Sequence, residues 1–181
     1  MKLKWFGMVA LSTLLMVGCS EDEATNVEVK EVSSEVQKQD IPMDDSIPEG
    51  VKDGRVSKAT YSESTRIIDG LTLYATRNKS YINEMEFDIN VIKKDDFQRN
   101  YNDFLNEYDV FIKGFNASPS TSADFELNDH LISIIYNTEA YIEEMRMFIK
   151  DGDSYYNENA ISYSNKRQVS LEALVNAMDK Y

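Results

Sequence analysis

From Lys58 onward the apolar positions return every three or four residues, the period of an α-helix and not of a strand. In the first segment Ile68, Leu71, Ala75, Ile82, Met85, Ile89 and Ile92 keep this spacing, and Ser64 and Asn78 fill the two remaining seam positions. Ile67, Tyr74 and Tyr81 widen the stripe on one side. The repeat lies near the roughly 3.5-residue period of bundle seams. Lys93-Lys94 at the end and Asp95-Asp96 at the next start complement the helix dipoles on either side of a break. Asp95 with Gln98 fits a capping box by analogy with the Ser/Thr form.

The second segment has a seam made only of aromatics: Phe97, Tyr101, Phe104, Tyr108, Phe111 and Phe115, with Leu105 and Ile112 beside it. Ala117 to Ser122 then reads as a loop of small polar residues around Pro119. A third segment, from about Asp124 to Lys150, carries Leu127, Leu131, Ile134, Ile135, Tyr141, Ile142, Met145, Phe148 and Ile149. That face is broad enough for a central helix. Asp151-Gly152 supplies a left-handed stop, and Asp153 or Ser154 a cap for the fourth segment. The fourth segment runs through Tyr156, Ala160, Tyr163, Leu171, Leu174, Met178 and Tyr181. Arg167 and Ser170 interrupt its stripe and mark where a kink would fall.

Short connections between these segments predict an all-α fold: an antiparallel bundle of about four helices over residues 56–181. At about 125 residues it can hold one core and hardly two. No solenoid-length repeat occurs.

The N-terminal third reads differently. A basic start with Lys2 and Lys4 precedes an apolar run from Trp5 to Val17, 13 residues long, against the ~20 that span a bilayer. The run ends at Leu15-Met16-Val17-Gly18-Cys19. This resembles the lipobox of bacterial lipoprotein precursors, with Met16 where the class usually has Leu and Leu15 one step earlier. The resemblance covers only the first 20 or so residues. It implies that residues 1–18 are a cleaved signal, that Cys19 takes a diacylglyceryl group, and that its new amino end receives an acyl chain such as palmitate. Localisation at the cell membrane, on its extracytoplasmic face, follows. Cys19 is the only cysteine, so no internal disulfide can form, and lipidation would consume the one thiol.

Residues 19–55 then read as the lipidated Cys plus a disordered acidic tether. From Ser20 to Gly54 there is no aromatic residue, Pro42 and Pro48 occur, and 11 acids face 3 lysines. As a flexible chain it would span on the order of 30 Å. With Lys2 and Lys4 in the signal, the remaining 17 basic residues face all 32 acids, a net charge of −15. Such a surface disfavours nucleic acid and bare anionic lipid as partners.

Candidate chemistry is sparse. His130 is the only histidine, short of a zinc or di-iron ligand set, and Glu126 four residues before it suggests a local pairing. Asp151-Gly152-Asp153 begins like an EF-hand loop, but Tyr155, Tyr156 and Ser162 stand where ligands and the turn glycine are needed. No nucleophile elbow and no phosphate-binding glycine loop is present. The sequence therefore predicts no enzyme, no cofactor and no metal. The aromatic seam reads first as a core line and second as a platform for a glycan or peptide. The candidate ligand or interface residues are Asn78, Phe97, Tyr101, Phe104 and Tyr108, with Asn78 the first expected in the cavity of a ligand-binding bundle. The leading functional expectation is a membrane-anchored, non-catalytic module that binds a protein at the cell surface. A small-ligand-binding or sensing bundle is the alternative, and a wall-active enzyme the third choice.

Overall fold

The computed structural model describes residues 47–181. Its elements are α1 (Glu49–Lys52), α2 (Lys58–Phe87), a 3-10 helix (Ile89–Lys93), α3 (Asp95–Lys113), α4 (Ser122–Asp151) and α5 (Ser154–Met178). Among the described residues there is no strand, and four long helices pack as a bundle, the all-α architecture that the periodicity predicts. α4 is the central helix, in contact with α2, α3, α5 and the 3-10 helix. It forms an antiparallel hairpin with α5, in register through Ser133–Ser170 (2.8 Å) and Asn159–Glu144 (3.3 Å).

The termini of the helices follow from local chemistry, with two departures from expectation. The first helix does not run to Lys94. It stops at Phe87, because the Asp88 carboxylate accepts the Asn90 N–H (3.0 Å) and draws the backbone into a separate 3-10 helix. That turn buries Val91 and Ile92 and leaves Ile89 in water. Ala75 is also exposed, since a 3.6-residue helix drifts from a strict seam and brings Tyr74, Asn78 and Tyr81 inward instead. The second departure is the capping box. Lys94 is the N-cap of α3 and offers no side-chain cap, so Asp95 is a first-turn residue. Gln98 turns away and donates to the carbonyls of Ile92 (2.8 Å) and Ile149 (3.4 Å). The capping box belongs to α4, where Thr121 and Asp124 bond reciprocally.

Between α4 and α5, Gly152 adopts φ +70°, the left-handed stop, and Asp153 caps α5 by accepting the Tyr155 N–H (2.9 Å). α5 passes Arg167 and Ser170 without a break. Ser170 returns its hydroxyl to the Lys166 carbonyl (3.2 Å), so the polar interruption is absorbed within the helix.

The boundary of the acidic segment needs correction. Residues 47–55 fold onto the bundle, although they read as the end of a disordered tether. Pro48 is the N-cap of α1, and Glu49 and Lys52 match its dipole. Gly50 is buried: its N–H donates to the Tyr181 carbonyl, and a Cβ there would overlap that carbonyl. Val51 rests on the core, and Val56 donates to the Gly50 carbonyl (2.9 Å). The segment lacks aromatics, but a missing side chain at Gly50 is what allows the approach. Residues 1–46, where the expected signal, Cys19 and the rest of the expected tether fall, lie outside the described residues.

Candidate functional site

The aromatic seam of α3 is the packing line against α2. Phe97, Tyr101, Phe104 and Tyr108 are all buried, while Phe111 and Phe115 are half-buried at its end. Tyr74 of α2 stacks on Tyr108 with ring centres 4.5 Å apart and planes within 4°. Tyr81 stacks on Tyr101 (4.6 Å) and meets Phe97 edge-on (5.9 Å). Phe111 lies directly over Gly70, where a Cβ would collide with its ring. Rings in offset and edge contact contribute about 0.5–1.5 kcal/mol per pair beyond their buried area.

A polar chain runs through these rings and joins all four long helices. The Tyr101 hydroxyl (α3) donates to Asn78 Oδ1 (α2, 2.7 Å), and Asn78 Nδ2 donates to the Tyr141 hydroxyl (α4, 2.6 Å). Two turns along α3, Arg167 Nη1 (α5) donates to the Tyr108 hydroxyl (3.0 Å), and Nη2 donates to Ser164 Oγ (3.2 Å). The Arg167 guanidinium lies 5.2 Å from the Tyr141 ring centre, which links the two halves. Burial pushes the Tyr101 hydroxyl well above the usual tyrosine range. It pushes Tyr108 up as well, with Arg167 pulling partly the other way. Both hydroxyls therefore stay protonated and act as donors and acceptors, not as acids or bases. Asn78, the polar residue that stands out in the seam, thus has both ends of its amide engaged by tyrosines. Tyr141 and Arg167 were not legible as its companions; the only signal was the gap that Arg167 makes in the stripe of α5.

A second polar centre lies where α2 and α4 begin. Asp124 is fully buried, and its carboxylate accepts the N–H of Ser57 (2.8 Å) on Oδ1. On Oδ2 it accepts the N–H and hydroxyl of Ser120 (both 2.9 Å) and the N–H of Thr121 (3.2 Å). Burial pushes this carboxyl up, but the hydrogen bonds from Ser120 and Ser57 outweigh it and hold the pKa at about 2. Thr121 Oγ1 donates in turn to the Arg55 carbonyl (2.6 Å). Asp124 is thus a clasp for the incoming chain. Its sequence signal is Thr121 followed three residues later by an acid.

The other candidates separate. Glu126 does not pair with the half-buried His130; its oxygens are taken by Lys180 and by the Tyr181 hydroxyl (2.7 Å). Among the described residues no three His, Cys, Asp or Glu side chains converge as metal ligands, and no helix is long and apolar enough to cross a membrane. No family model, curated protein or solved structure matches the chain.

Proposed function

We propose that the chain is a lipoprotein anchored through Cys19 on the extracytoplasmic face of the cell membrane, and that its bundle is a non-catalytic module for binding another protein. The observation that supports docking is the apolar surface at the end of the bundle where α2 stops. Phe87 is 94 % exposed there, Ile89 53 % and Tyr155, beside the α4–α5 turn, 61 %. Phe87 lies 30 residues along α2, about 45 Å from the helix start beside the Asp124 clasp. Exposed apolar residues occur elsewhere on the bundle too, Val110 and Phe125 among them, but Phe87 is the most exposed of all, and with Ile89 and Tyr155 beside it suits an anchor for a partner's pocket. An anchored module whose chain comes in at one end would present the other to its surroundings.

Site-specific photo-crosslinking of the full chain in native membranes tests this. A photoreactive residue at position 87 should give a discrete adduct, while one at Val169, exposed on α5, should give none. Equal patterns at both positions, or no adduct at either, would overturn the docking reading. Cys19→Ser should release folded protein from the membrane; retention of the variant would overturn the anchor.

A further inference from the structure

Among the described residues there are six arginines, and five hold a carboxylate: Arg55 on Asp53, Arg66 on Glu63, Arg77 on Glu107, Arg99 on Asp96 and Arg146 on Glu143. Arg167 holds none, although it is half-buried and reaches inward across the bundle. Shortage of acids is not the reason, since residues 47–181 carry 23 acids against 15 basic residues. A partly desolvated cation is costly unless its charge is answered. Here the answer comes from neutral groups alone: the Tyr108 hydroxyl, Ser164 Oγ and the face of the Tyr141 ring.

Those contacts fix the guanidinium without exhausting it. Of its five N–H bonds two are used, leaving Nε–H and one hydrogen on each Nη. A planar fork held on a ring face has already lost its rotamer freedom, so little more is lost when it takes a two-oxygen ligand. α5 itself places no opposing charge near it. α5 has no acid between Glu158 and Glu172, and Lys166, beside Arg167, lies 4.9 Å from the Tyr163 ring centre. Two adjacent cations of α5 thus lie against tyrosine rings, with no acid near them on the same helix.

We propose that Arg167 anchors a binding site for an oxyanion, a carboxylate or a phosphate, where α5 reaches across to Tyr108 of α3. The site is independent of the docking surface at Phe87, and either can fail without the other. It differs from a purely structural role, in which the guanidinium only closes the tyrosine network and added anions change nothing beyond ionic strength.

The test uses the full chain, 15N-labelled in a zwitterionic detergent, and follows the Arg167 Nε–Hε resonance by NMR. Sodium acetate and inorganic phosphate are titrated separately against sodium chloride at matched ionic strength. A saturable shift with acetate or phosphate, absent with chloride, is expected, and the stronger of the two identifies the head group. Arg167→Lys keeps the charge and loses the fork; backbone amides around Ser164 should then report an affinity weaker by roughly tenfold or more. A drift identical to that in chloride overturns the site, and so does unchanged affinity in the lysine variant. Should the variant fail to fold, the comparison of anions on the unaltered chain decides alone.

Discussion

The two ends of the bundle differ in the polar groups they bury, although both expose apolar side chains, Val110 and Phe125 at one and Phe87, Ile89 and Tyr155 at the other. At the proximal end, where residue 47 joins the bundle, polar groups are buried and answered. Asp124 is fully enclosed, Gly50 bonds the Tyr181 carbonyl, and Thr121 holds the Arg55 carbonyl. At the distal end Val91 and Ile92 close the interior, and beyond them Phe87, Ile89 and Tyr155 stand in water. Converging backbone ends carry unpaired N–H groups that must be satisfied once buried, so the proximal end needs a carboxylate. The distal end closes with a 3-10 helix and a glycine stop, and Phe87 beyond it stands almost wholly in water. One end fixes where the chain comes in, and the other keeps surface that folding does not require.

The largest effect should come from breaking the clasp. Asp124→Ala would leave the amides of Ser57, Ser120 and Thr121, which converge on one buried carboxylate, without that acceptor. A loss of about 3 kcal/mol in urea denaturation is expected. The same carboxylate sets an acid limb. Its folded pKa of about 2 lies below the ordinary 3.8, so its contribution is fully present above pH 3.8 and is lost as pH falls through about 2. That contribution is roughly 2 kcal/mol. Stability measured from pH 6 downward should fall through this window in the unaltered chain, and Asp124→Asn should flatten that part of the profile.

A smaller loss belongs to the middle of the bundle, where the polar chain is neutral. Asn78→Leu removes both amide bonds to Tyr101 and Tyr141. It should cost about 2 kcal/mol, since two hydroxyls lose a partner while an apolar side chain fills the space. A double-mutant cycle with Tyr101→Phe should give a coupling of about 1 kcal/mol; additivity would mean that the bond contributes nothing to stability. Unlike the clasp, this pair should show no dependence on pH between 4 and 8, because burial raises Tyr101 far from that range.

What the sequence disclosed divides along the same line. Helix number, the central place of α4, the seam of α3 and the stop at Gly152 follow from periodicity and turn chemistry, which are local. Asn78 stood out because a polar residue in an apolar stripe must find a partner. Its partners lie 23 and 63 residues away, and no local pattern contains that information. Asp124 was harder, since an acid near a helix start reads as a dipole match; its burial depends on Ser57, 67 residues earlier. The fold of residues 47–55 was hidden because composition counts side chains that can be buried, whereas Gly50 acts through the one it lacks.

Gly50→Ala probes that last contact with a smaller expected effect. The added Cβ collides with the Tyr181 carbonyl, while alanine favours α1 itself by up to about 1 kcal/mol. The net loss should be about 1 kcal/mol or less, because α1 is a single turn. Amide exchange gives the sharper reading. Protection should fall at Gly50 and Val56 and stay unchanged in α3 and α4, which would show α1 opening as a local unit. Loss of protection throughout the bundle would instead make the proximal end inseparable from the core.

The smallest effect on stability is expected at the distal end, and there it is the informative result. Phe87 has almost no buried surface to lose, so Phe87→Ser should change the unfolding free energy by no more than about 0.5 kcal/mol in either direction. The same substitution should abolish crosslinking from a photoreactive group placed at Ile89, if the distal surface is held by a partner. A variant that is equally stable and no longer captured separates binding from folding in a single residue. A variant that loses stability would show that Phe87 has a packing role in the bundle.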